Sequence, residues 1–163
     1  MEHREIVVGL DESASARAAL SWAARQAERT RSELRAVHAL SWPYGASAGA
    51  AGPEPDHLSH VRIEDIYRAS ITETFDEIHP RPAWLIQFAR GDAGPVLVRQ
   101  SRRAALLVIG SPDHVGLGRL IAGSVAHYCL SHATCPVVVV PTPRPPADVI
   151  LPTSHLVTNG ARS

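Results

Sequence analysis

Lysine is absent: all sixteen basic residues are arginine. That excludes a Schiff-base amine and a Walker-type phosphate loop, since both need a lysine ammonium. Cysteine is scarce, with only Cys129 and Cys135. Six residues apart, they fit neither a Cys-x-x-Cys redox pair nor a four-ligand zinc set, and they read as small buried hydrophobes. A surplus of one charge is missing too, because sixteen acidic residues balance the arginines and the pI is about 7.1. No overall field favours nucleic acid or an anionic membrane, so any anion site must be local. No apolar run approaches the roughly twenty residues that a bilayer-crossing helix needs. From Met1 to Arg4 the chain leads into a strand-like run without the shape of a signal peptide, and a cytoplasmic location is expected.

What remains is 163 residues, 45% hydrophobic, with few aromatics, a composition suited to one domain whose core needs no disulfide or metal staple. Hydrophobic period divides it into alternating units. Residues 4–10 (REIVVGL) form a β-branched run suited to a buried strand, and residues 13–31 follow with Ala16, Ala19, Leu20, Ala23, Ala24 and Ala27 at helical spacing. Residues 33–40 (ELRAVHAL) read as a second strand, and 41–58, rich in Gly, Pro, Ala and Ser, as a long loop. A helix over 59–78 stops at the His79-Pro80-Arg81-Pro82 segment. A third strand over 83–89, a turn at Gly91-Asp92 and a helix over 93–103 come next, then a fourth strand over 104–110 (AALLVIG). After a segment 111–122 containing Gly116 and Gly118, a helix over 123–133 leads to a fifth strand, 136–140 (PVVVV), closed by Pro141. Residues 142–163 are expected to be a disordered tail beyond a single domain spanning 1–141.

Five strands alternating with helices predict an open α/β fold, a doubly wound parallel sheet covered on both faces. In such sheets ligands lie beyond the carboxyl ends of the strands where strand order reverses. Asp11, the surroundings of Ala39, and the chain from Gly110 onward occupy those positions.

The stretches IVVGLDES and VIGSPDHVGLGRLIAGSVAHYCLSHATCPVVVVP, with GDAGPVLV between them, resemble the universal stress protein family over residues 4–141. The resemblance implies the adenine nucleotide alpha hydrolase-like fold with strand order 3-2-1-4-5. It also implies a regulatory stress-response homodimer that binds ATP or another adenine nucleotide, with Mg or Mn accompanying it. In the ATP-binding branch the loop reads Gly-x-x-Gly, nine residues, then Gly-Ser or Gly-Thr. Here Gly110 is followed by Asp113 in place of the second glycine, then nine residues and Gly123-Ser124. The implied nucleotide contacts are Gly9, Leu10 and Asp11 after the first strand, Ala39 beside adenine, and Ile109 and Gly110 from the fourth strand. Asp113, Gly123, Ser124 and Val125 complete the set, with Asp11 and Asp113 as acidic groups able to act through a metal.

The residue chemistry bears on that set independently. Glycines admit close approach, and backbone N–H groups at a helix amino terminus attract phosphate. Pro112 removes one such N–H, and Asp113 brings a carboxylate toward a triphosphate. Arg119 offers a compensating charge. Asp11 serves equally as part of a helix cap in D-E-S-A-S, whereas Ile109 reads first as core. No residue stands as a general base, which points to a binding module rather than an enzyme, with slow ATP hydrolysis at most. Pro112 and Asp113 favour an alternative, a nucleotide-free partner-binding scaffold of the same fold. A flavoprotein or nucleotidyl-transferase reading is opposed by the missing lysine and acidic metal pair.

Other motifs carry less. Gly45-Ala46-Ser47-Ala48-Gly49 spells a nucleophile elbow but lies inside the long loop, without the flanking strand and helix. His127 and His132 are five apart, off a common helix face, while His57, His60 and His114 belong to loops or their borders, so a histidine metal site is not expected. His38 reads as a core or sheet-face residue. Arg99, Arg102 and Arg103 form a solvated basic cluster at a helix end rather than an RNA site. Residues 137–140 (Val137, Val138, Val139 and Val140) form a sheet edge whose pairing with a second copy would give a two-fold homodimer.

Overall fold

The computed structural model describes residues 4–40, 57–111 and 123–142. Pro112, Asp113, His114 and Arg119, the Gly-x-Ser-x-Gly match and the tail beyond Thr142 lie outside the described residues. The elements run β1 (Glu5–Gly9), α1 (Ala14–Thr30), β2 (Glu33–Leu40), α2 (His57–Asp76), β3 (Leu85–Arg90), α3 (Ala93–Gln100), β4 (Leu106–Ser111), α4 (Ser124–His132) and β5 (Val137–Pro141). All strands pair in parallel, and the sheet order is β3-β2-β1-β4-β5.

Alternation along the central strands divides the core into two. Ile6, Val8, Leu34, Ala36 and Val108 face one side and pack with Ala19, Leu20, Ala23 and Ala27 of α1 and Ile71 and Phe75 of α2. Val7, Val37, Leu107 and Ile109 face the other and pack with Val96 and Leu97 of α3 and Ala126 and Cys129 of α4. Burial of both faces is why β1 and β4 are continuous apolar runs rather than alternating ones. The alanines of α1 let its axis come close to the sheet. At Gly110 the approach is so tight that a Cβ would stand 2.4 Å from the Ser15 carbonyl carbon and 2.7 Å from the Ala16 nitrogen.

Several boundaries differ from the sequence expectation for local reasons. Ser13, Arg31, Gly123 and Ala133 are caps rather than helical residues. Ser13 Oγ accepts from the Ala16 amide at 3.1 Å, which satisfies one of the orphan N–H groups of α1. At the other end Arg31 adopts left-handed backbone, φ 53°, and closes α1 without a glycine. Helix α2 lies two residues earlier than the spacing suggests, and the chain turns at His79, also at positive φ. Helix α3 ends at Gln100 rather than 103, with buried Ser101 as its cap. Arg102 and Arg103 therefore lie in an exposed turn, not on a helix. Strand β3 starts at Leu85, after Trp84 has been buried from a preceding turn, and β4 starts at Leu106.

Arg35 clips the two central layers near the amino ends of the strands. Its Nε and Nη2 donate to the two Glu5 carboxylate oxygens at 2.7 Å each, and Nη1 donates to Oε1 of Gln87 and of Gln100 at 2.7 and 2.9 Å. Nη2 also donates to the Gln100 carbonyl at 3.0 Å, so all five guanidinium N–H groups are used. Among the described residues no helix is long and apolar enough to cross a membrane.

Candidate functional site

The sheet order reverses direction between β1 and β4, since the chain builds outward from β1 to β2 and β3 and then returns to the other side. Crossovers on opposite faces leave a crevice there beyond the carboxyl ends. A cavity of about 450 Å³ occupies it, within the range of small-molecule sites. Gly9, Leu10 and Asp11 line it from the end of β1, and Ala39 from β2. Ile109 and Gly110 line it from β4, and Gly123, Ser124 and Val125 from the start of α4. Nine of the ten candidate residues thus border one cavity, and Asp113 lies outside the described residues.

Each is placed by an identifiable local cause. Leu10 continues past β1 because its N–H donates to the Val37 carbonyl at 3.0 Å. Asp11, exposed at the cavity mouth, accepts the Ser13 amide on Oδ1 at 2.8 Å. It therefore supports the cap residue while bordering the cavity. Ser13 Oγ bonds both the Ala16 amide and Ser15 Oγ, the latter at 3.0 Å, so the amino end of α1 is closed by its own side chains. The amino end of α4 is different. Gly123 caps it with no side chain, at φ −54° and ψ 163°, and among the described residues no side chain bonds the first-turn amides. Gly123, Ser124 and Val125 at that end line the cavity, where N–H groups without an intrahelical acceptor and the positive end of the α4 dipole favour an anion. Ile109 is both core, at 2% exposure, and cavity wall. Gly110 is required by the backbone of α1, which closes the cavity floor.

A family model described as the universal stress protein family matches residues 2–141. A universal stress protein of Mycobacterium tuberculosis is 34% identical over 149 residues, covering 83% of this chain and 46% of the relative. The chain belongs to the universal stress protein family. A family member from Mycolicibacterium smegmatis is 28% identical over 140 residues, covering 83% of this chain and 47% of its own length. The chain spans about half the length of the curated relatives it matches. Among solved structures, a universal stress protein family member from Burkholderia pseudomallei superposes with a TM-score of 0.62 at 26% identity, covering 85% of this chain and 96% of that one. An Arabidopsis thaliana family protein with AMP bound gives 0.57 at 20% identity, covering 89% and 97%. The Archaeoglobus fulgidus protein in complex with dAMP gives 0.54 at 18%, covering 86% and 99%. The shared architecture is the adenine nucleotide alpha hydrolase-like fold.

In this universal stress protein the cavity also has walls that sequence reasoning did not single out. Ser13 enters as the cap of α1, Ser15 and Ala16 from its first turn, Val37 and His38 from β2, and Ala93 and Leu97 from α3. The signal for α3 was available, because Gly91-Asp92 after the third strand puts the helix start beside the carboxyl ends. Among the described residues two ionisable groups away from the cavity are perturbed. A hydrogen bond from Arg68, 2.8 Å from Glu64, holds the Glu64 carboxyl below its ordinary value, with the charge of Arg90 adding to it. Burial pushes the Cys129 thiol up to about 11, which leaves it neutral and unreactive at physiological pH.

Proposed function

We propose that the chain binds an adenine nucleotide in the cavity between β1 and β4, as a regulatory binding module of the stress response and not an enzyme. The observation that carries this reading is the convergence of three kinds of wall on one cavity. They are the first turn of α4, which has no side-chain cap among the described residues, a mouth carboxylate at Asp11, and apolar walls at Ala39 and Ile109. The α4 amides suit phosphate oxygens, Ser124 adds a hydroxyl donor, and Ala39 leaves room for a flat base against β2. Structural neighbours are described in complex with cAMP, AMP or dAMP, which supports an adenine nucleotide as the ligand class. Asp11 would tolerate a triphosphate through Mg or Mn, whose charge offsets the carboxylate against the phosphates. Among the described residues no group beside the α4 amides stands as a general base, which favours turnover that is at most slow.

The homodimer belongs to the same proposal. Strand β5 is a sheet edge with half-buried valines at 137–140, and pairing with a second copy would cover it. Pro112 and Asp113 favour the rival reading, in which the same fold and dimer act as a nucleotide-free scaffold in the cytoplasm. Calorimetric titration of the purified chain with ATP and magnesium or manganese separates the two. Saturable binding that Gly123→Val abolishes and Asp113→Gly tightens supports the nucleotide site. Gly123 has ordinary extended φ, so valine there blocks phosphate approach without backbone strain. Absence of saturable binding supports the scaffold.

A further inference from the structure

His38 is the polar side chain of β2 at the cavity, and the nucleotide reading as argued gives it no role. Its Nδ1 lies 2.8 Å from the Leu10 carbonyl oxygen. A carbonyl can only accept, so Nδ1 carries the proton, and a neutral ring here is the Nδ1–H tautomer. The ring is held in that rotamer from the far side. It stands edge-on to Phe88, with centroids 5.8 Å apart at 67°, and Arg68 lies 4.6 Å above the Phe88 ring. Arg68 is itself anchored by Glu64.

The other end of this chain of contacts is a backbone carbonyl with no other hydrogen-bond partner among the described residues. Leu10 is buried, 3% exposed, and lies one residue beyond β1, where its carbonyl has no strand partner among the described residues. Its N–H is taken by Val37, so the two bonds together tie Leu10 to β2 on both sides of one residue. Asp11 and the cap Ser13 follow directly, joined to each other by the Ser13 amide. We propose that His38 is a positioning residue for the nucleotide site: its Nδ1–H fixes the Leu10 carbonyl and thereby the turn that sets Asp11 and Ser13 at the cavity mouth. The inference rests on the nucleotide reading above.

The test compares the full chain with His38→Asn, whose side-chain amide can present an N–H near the place of Nδ1, and with His38→Leu, which keeps bulk without a donor. Magnesium ATP titration and amide hydrogen exchange at Leu10 and Ser13 are the readouts. His38→Leu should weaken ATP binding on the order of tenfold, the scale of one buried hydrogen bond. It should also speed exchange at both amides. His38→Asn should restore both readouts toward the parent, as a donor at the same place predicts. Unchanged affinity in His38→Leu, or equal losses in the Leu and Asn variants, overturns the assignment. A parent chain without saturable ATP binding overturns the nucleotide reading and this inference with it. A parent that binds normally beside an indifferent His38→Leu overturns this inference alone.

Discussion

Gly110→Ala probes the contact that closes the floor of the cavity. The added Cβ would meet the Ser15 carbonyl carbon at 2.4 Å, its oxygen at 2.5 Å and the Ala16 nitrogen at 2.7 Å. Carbon atoms settle at about 3.5–4.0 Å, so helix and strand must separate by roughly 1 Å there. Neither yields easily. The obstacle is backbone, α1 is seated on the sheet through Ala19, Leu20 and Ala23, and Gly110 is paired with Val140 of β5. The cost should reach the upper end of over-packing penalties, about 3 kcal/mol. For a domain of this size that is a melting-temperature drop of roughly 6–12 °C. Gly9→Ala is the control, since its Cβ would meet the tip of Leu97 at 2.9 Å, a side chain that can rotate away for about 1 kcal/mol. Thermal and urea unfolding of both variants decide the matter. A Gly110→Ala protein as stable as Gly9→Ala would refute the reasoning.

Asp11→Asn keeps an oxygen for the Ser13 amide but removes the charge, so melting should change little while magnesium-dependent ATP binding weakens on the order of tenfold. Equal affinity with and without the substitution contradicts the metal-bridging role. Arg35→Leu strands the Glu5 carboxylate and the Gln100 carbonyl, and urea unfolding should show a loss of about 2–3 kcal/mol that Arg35→Lys, lacking the planar fork, does not recover. A loss under about 0.5 kcal/mol, the range of ordinary surface substitutions, counts against that clip. With a thiol reagent at pH 8, half-buried Cys135 should react before Cys129, whose neutral form persists because burial raises its pKa to about 11. The same shift means that stability falls as pH rises above the ordinary thiol range, where only the unfolded chain ionises. Prompt labelling of Cys129 in the folded protein contradicts its burial.

The architecture was legible because burial on both faces writes continuous apolar runs into β1 and β4, because the valines of β5 form a β-branched run, and because the alanines of α1 recur at helical spacing. Boundaries were less so. Ser13 and Gly123 look helical in periodicity and serve as caps, and the apolar Leu85 opens β3 while half exposed. At the candidate site, Asp11, Ala39 and Ser124 could be placed from strand ends and family resemblance alone. For Gly110 a turn or close-packing role could be read from the sequence, but not its partner, since the constraint comes from the backbone of Ser15 and Ala16, far away along the chain. His38 was likewise hidden: the strand pattern gives its face but not the Leu10 carbonyl that its ring nitrogen meets.

Isotope-edited amide spectra during titration with AMP test the central claim most directly, because they report on the first turn of α4 itself. Saturable shifts centred on Gly123, Ser124 and Val125, accompanied by Ala39, are the predicted result. Saturation without movement of those amides, or spectra unchanged at millimolar AMP, would contradict it.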